Sequence, residues 1–178
     1  MANTTFQGPV TSKAGFITTG PANVVDADSS ISLTVASHSG KIVHNDAAGA
    51  VTYTLPATNA NSDSALAGPG ADLNNLSNVG AKFEIFSSIT KTGDLVVQVA
   101  NATDVIIGSA SFIDDTSDNM VGFETASTSD TITLNGTTTG GVTFAKIECT
   151  VIASGKYKVD VISGCTGTPA TPFSAAVS

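Results

Sequence analysis

The sequence predicts an all-β fold, an antiparallel β-sandwich or barrel of jelly-roll-like form, and three observations predict it. Apolar and polar residues alternate with period two at 31–35, 51–55, 146–151 and 157–161, as in strands with one buried and one wetted face. Only 12% of residues are charged, against roughly 25% in ordinary domains, and Gly, Thr, Ser and Asn fill the difference. That mixture suits short strands and polar turns, and no segment carries a convincing helical period.

Along the chain, residues 1–28 lack sustained periodicity. Gly8-Pro9, Gly15 and Gly20-Pro21 punctuate them, and Phe6, Val10, Phe16, Ile17 and the Val24-Val25 pair are their only larger apolar residues. Such a segment cannot build a core alone. It reads either as a disordered leader or as an extended N-terminal arm, and the spacing of Phe6, Val10, Phe16 and Ile17 favours an arm that lays apolar residues on another subunit.

The domain is expected over 29–165. Ile31, Leu33 and Val35 alternate on one face of a first strand, and Lys41-Ile-Val-His44 follows Ser39-Gly40. After the turn Asn45-Asp-Ala-Ala-Gly49, residues Val51, Tyr53 and Leu55 form the inward set of a strand that Pro56 ends. Residues 57–80 exceed the usual loop length, so they read as an insertion, a contact loop or the seat of a helical turn near Leu73 to Leu76.

Further strands are expected at 82–86, 95–99, 105–107, 121–123, 132–134, 144–152 and 157–162. The last two flank a hairpin connection, Ala153-Ser-Gly-Lys156, with Ile147, Cys149, Val151, Tyr157, Val159 and Val161 inward. Residues 166–178 form a short C-terminal tail.

The balance of charge bounds the partners. At 178 residues the chain is one domain able to bury a core without metal or disulfide support. Net charge is −8, and seven basic residues stand singly, so neither nucleic acid nor an anionic membrane surface is an expected partner. Met1-Ala-Asn-Thr-Thr-Phe-Gln-Gly-Pro9 has no basic start or apolar run, so no export signal is expected. Cys149 and Cys165 are then expected to be buried thiols rather than a bridge.

Candidate chemistry is sparse. His38 and His44 lie near Asp46, but no Cys or second carboxylate cluster at ligand spacing accompanies them. Asp114, Asp115 and Asp118 form a weak calcium candidate that lacks the Gly and Glu of an EF-hand loop. Asn135-Gly136 and Gly140-Gly141 lack the Lys and helix start of a phosphate loop, and no Gly-x-Ser-x-Gly elbow occurs. No enzymatic activity and no cofactor are expected. With eight Phe, two Tyr and no Trp, a sugar-stacking face is poorly supplied, and Phe83, Phe86, Phe112, Phe123 and Phe144 are assigned to the core.

Several motifs recur in one order: Met1-Ala-Asn-Thr-Thr-Phe-Gln-Gly-Pro-Val-Thr-Ser, Gly80-Ala-Lys-Phe-Glu-Ile-Phe, Asp130-Thr-Ile-Thr-Leu-Asn-Gly-Thr-Thr-Thr-Gly-Gly, Gly155-Lys-Tyr-Lys-Val and Gly167-Thr-Pro-Ala-Thr-Pro-Phe173. Together they resemble the capsid decoration (cement) and related virion structural proteins of marine tailed bacteriophages, cyanobacterial ones in particular. The likeness spans most of the chain and is strongest in its last fifty residues. Tyr157 departs from it, standing where relatives would carry Trp in a half-buried role. The resemblance implies a structural protein on the capsid surface of the virion, assembled in the host cytoplasm, with the major capsid protein and itself, as a homotrimer, for partners. A head fibre or tail component is an alternative, as is a carbohydrate-binding module that takes a host glycan as partner. The fibre reading calls for a fixed repeat, which the chain lacks.

Overall fold

The computed structural model describes residues 23–59 and 78–177. Phe6, Val10, Phe16 and Ile17, and the helical turn expected near Leu73 to Leu76, lie outside the described residues. The regular structure of the described chain is almost wholly strand: β1 Val24–Asp26, β2 Ile31–Ser32, β3 Ile42–Asn45, β4 Val51–Thr54, β5 Lys82–Ser87 and β6 Leu95–Gln98, then β7 Val105–Asp114, β8 Asn119–Glu124, β9 Thr131–Leu134, β10 Val142–Ala153, β11 Lys156–Cys165 and β12 Phe173–Ser174. One four-residue helix, α1 Val35–His38, interrupts them.

Two sheets pack face to face as a sandwich, and the barrel alternative falls away. One sheet runs β1-β3-β5-β10-β11-β7-β8 and the other β12-β9-β6-β4-β2. From β1 to β6 the chain crosses to the opposite sheet at every strand. Neighbours within each sheet are therefore successive passes in one direction, and β1–β3, β3–β5, β2–β4 and β4–β6 are parallel. The expected antiparallel pairing thus becomes mixed. Alternation could not reveal this, because a strand buried on one face has period two whichever way its neighbours run. Antiparallel pairing takes over where the chain turns back locally, in the β7–β8 and β10–β11 hairpins. The β10–β11 hairpin lies in the middle of the large sheet, antiparallel to β5 on one side and parallel to β7 on the other.

The inward residues make one continuous core. Val43, Phe83, Ile85, Ile147, Cys149, Tyr157 and Val159 of the large sheet meet Val51, Tyr53, Leu95, Val97, Ile132 and Leu134 of the small one, all 2% exposed or less. The parity expected across the last hairpin holds, with Lys146, Glu148 and Lys158 on the outer face. Only Ser154 and Gly155 lie outside the paired strands there, since Ala153 is opposite Lys156.

Four boundaries move. β1 lies inside the segment assigned to the arm and pairs with β3, so the sheet starts before residue 29. β12 lies inside the assigned tail and pairs with β9 through Phe173 and Ile132. Cys165 ends β11 instead of lying beyond it. The strand expected at 31–35 stops early: Leu33 stays buried, but the Thr34 hydroxyl accepts from the Ser37 N–H at 3.3 Å and the His38 ring nitrogen accepts from the Thr34 N–H at 3.0 Å. This local capping starts α1 and leaves Val35 exposed.

Candidate functional site

Each polar group that sequence reasoning singled out has a definite place. Asp114 ends β7 with its carboxylate turned into its own loop. It accepts from the Thr116 N–H at 2.9 Å and from the Ser117 hydroxyl, and these bonds hold it below the usual carboxylate range. The arrangement is an Asx-type turn, and Asp118 completes it at a positive φ of 54°. Asp114, Asp115 and Asp118 do not bring their oxygens together. Among the described residues that occurs at Asp26, Asp28 and Asp46, whose carboxylates lie within 4.8 Å of one another.

Sequence spacing does not reveal that exposed cluster, because its members come from β1, the following turn and the loop after β3. Parallel pairing of Asp26 with His44 draws them together. His44 sits between Asp26, at 3.2 Å, and the Ser88 hydroxyl, at 2.9 Å. Asp28 accepts from the Asp46 N–H at 3.0 Å, which lowers its pKa, while a side-chain hydrogen bond with Asp28 raises that of Asp46. His38 is on α1 and takes no part, so the two histidines do not form one site.

Two further carboxylates brace loops. Asp104 accepts from the Thr58 N–H and hydroxyl at 2.9 and 2.7 Å and from Asn101 at 3.1 Å. Asp130 accepts from the N–H groups of Ala176 and Val177, at 2.8 and 3.2 Å, and so ties the C-terminal segment to the start of β9. Asn135 gathers Thr137 and Thr139 N–H groups at 2.9 and 3.1 Å, a turn and not an anion cradle.

The outer face of the large sheet carries the strongest charge pattern. Glu84, Glu148 and Asp160 stand directly across from one another on β5, β10 and β11. Lys82, Lys146 and Lys158 interleave with them: Lys82 lies 2.8 Å from Glu148, Lys146 lies 3.7 Å from Glu148 and 4.0 Å from Glu84, and Lys158 pairs with Asp160. The Lys82 bond holds Glu148 below its usual range and Lys82 above its own. A shallow groove over Asn23, Gly40, Lys41 and Ile42 borders this face.

The aromatic residues divide otherwise than expected. Tyr53 and Tyr157 are fully enclosed, their hydroxyls donating to the Ala27 carbonyl and, at 2.6 Å, to the Pro56 carbonyl. Tyr157, expected half-buried, is thus part of the core. Phe83 and Phe112 are core residues as well, but Phe86 points outward and Phe123 and Phe144 are half-buried, because strand parity or an edge position denies them cover. No exposed Tyr is found among the described residues, which removes the usual stacking platform for a sugar.

Both cysteines are free and buried. Burial pushes the Cys149 thiol far up, and it also raises Cys165, so neither is a ready nucleophile. No described helix is long and apolar enough to cross a membrane. No protein-family model, curated protein or solved structure matches this chain.

Proposed function

We propose that the chain is a virion structural protein, a capsid decoration (cement) protein that binds the outer surface of a tailed-phage head. The reading is carried by the ordered run of motifs from Met1 to Phe173 that resembles this group. The physics of the described domain supports it. A sandwich with a continuous core is a stiff body, and a net charge of −8 keeps many copies soluble at high local concentration. Its partners in this reading are the major capsid protein and other copies of itself in a homotrimer, with residues 1–22 reaching to neighbours. Binding only the assembled shell stabilises the shell by mass action, and many equivalent sites multiply a modest gain.

Image reconstruction of a virion that carries the chain should place its density outside the shell, across boundaries between capsid subunits. Heat-induced DNA release should come at a higher temperature with the full chain than with a form lacking residues 1–20, or with none. Release at one temperature in all three, with the full chain demonstrably bound, would remove the stabilising role.

A further inference from the structure

Of the four sheet edges, three are blunt: β1 has three residues, and β2 and β12 have two each. The fourth, β8, has six residues, Asn119–Glu124, and contains no Lys, no Pro and no bulge against β7. Those are among the devices by which proteins protect an exposed edge, and β8 has in their place only the charge of Glu124 at its very end. The Thr125 N–H bonds to the Gly108 carbonyl at 3.1 Å. Counting back along the antiparallel ladder, Phe123 and Val121 bond to β7, while Met120, Gly122 and Glu124 turn their backbone groups to the open side.

Apolar residues stand on both faces of this edge. Ala110 and Phe112 on β7 are fully buried, but Phe123 and Val121, opposite them, are only partly so, because the smaller sheet does not cover β8. Phe123 forms a ledge against Phe112, ring centroids 5.6 Å apart. On the outer face Met120 is 72% exposed and Ile113, directly opposite, 47% exposed. Exposed Asp115 and Asp118 precede the strand, and exposed Glu124 ends it.

We propose that this edge receives the Phe16-Ile-Thr-Thr19 segment of a second copy of the chain as an added strand. Four consecutive aromatic or β-branched residues favour extended backbone. Adjacent Phe16 and Ile17 point to opposite faces, so one covers the Phe123 ledge while the other covers Met120. Residues 1–22 contain no Asp or Glu and do contain Lys13, whereas all fifteen carboxylates and six lysines follow, which complements the acidic flanks of β8. The donor must be another copy. β1 and β8 are opposite edges of the seven-stranded sheet, six strand spacings or about 29 Å apart. From Thr19 to Val24 five residues span at most about 17 Å. Closure of such head-to-tail contacts gives a ring of copies. The inference rests on residues 1–22 acting as an arm, and not on any capsid, so it is tested on the purified chain alone.

The test compares three full-length proteins by sedimentation and by amide hydrogen exchange: the natural chain, Phe16→Asp with Ile17→Asp, and Gly122→Pro. Gly122 faces Ser111 at a position that does not bond to β7, so proline there removes an outward N–H and leaves the β7 ladder whole. Should Gly122→Pro fail to fold, Met120→Lys tests the same edge. The natural chain is expected to self-associate with slow exchange at Met120, Gly122 and Glu124. Each variant should associate at least about tenfold more weakly and regain fast exchange at the β8 positions that keep an N–H. A monomeric natural chain overturns the proposal. So does an oligomer that the Phe16/Ile17 variant leaves intact, since that points to β8 pairing with β8 or to another interface.

Discussion

The Lys91 ammonium lies 3.0 Å from the amide oxygen of Asn45 and also donates to the Ala47 carbonyl, at a position only 3% exposed. No carboxylate lies within salt-bridge range of it among the described residues. Its pKa is lowered by burial, and the field of Asp28 offsets only part of that. The cation is a tether: it joins the loop after β3 to the loop before β6, and the Lys91 N–H in turn bonds to the Gly141 carbonyl.

Lys91→Met should therefore destabilise the fold by about 1–3 kcal/mol, the cost of leaving buried acceptors without a donor. The pH dependence has a definite sign. The folded state binds this proton less tightly than the unfolded chain does, so Lys91 adds stability as pH rises toward its ordinary pKa near 10.4. Denaturant titrations from pH 8 to 10.5 should show that rising contribution in the natural chain relative to the variant.

Cys149 acts in the opposite direction. Its folded pKa is raised, so the stability it supplies is whole below the unfolded thiol's value and is lost above it. Between pH 8.5 and 10 the natural chain should lose roughly 2 kcal/mol more than Cys149→Val, at about 1.4 kcal/mol per pH unit. Parallel stability–pH curves for the two proteins would contradict the burial of that thiol. Tyr53, pushed up to about 12 by burial, adds a similar loss that begins near pH 10 in both.

Two glycines with similar backbones separate strain from crowding. Gly40 has φ +72° and open space around it, whereas a Cβ on Gly136, at φ +76°, would lie 1.9 Å from the Lys91 carbonyl oxygen. Gly40→Ala should cost about 1–2 kcal/mol, the left-handed penalty alone. Gly136→Ala should cost about 3 kcal/mol or more, because backbone must move to admit it. Equal melting temperatures for the two variants would refute the close approach.

The buried hydroxyls give a ranking. Tyr157 donates to the Pro56 carbonyl, while the Ala27 carbonyl beneath Tyr53 also receives the Asn45 amide at 3.2 Å. Tyr157→Phe should thus cost about 1–2 kcal/mol, and Tyr53→Phe less. Chemical denaturation of both variants checks the order.

Strands with a strong inward set were legible in the sequence. Val51, Tyr53 and Leu55, or Cys149 across from Val159, declare their face by alternation and end at Pro56 or Gly155. What stayed hidden depended on partners distant in the chain. β1 and β12 have too few residues for a periodic signal and exist because β3 and β9 offer them a free edge. Lys91 reads as a surface charge until Asn45, forty-six positions away, is placed beside it. The Asp26, Asp28 and Asp46 cluster required the parallel register of β1 and β3. The β8 edge was legible as a strand, but its exposure follows from one sheet being wider than the other.

The central position of the last hairpin governs how the protein comes into being on the ribosome. β1, β3 and β5 form one slab and β7 with β8 another, and only β10 and β11 join them. A nascent chain that ends before Val142 thus holds two half-sheets, each with a raw inner border at β5 or β7. Native assembly waits until β10 and β11 have been made, and a chain that stops before them carries two sticky half-sheets in place of a shortened but sound domain.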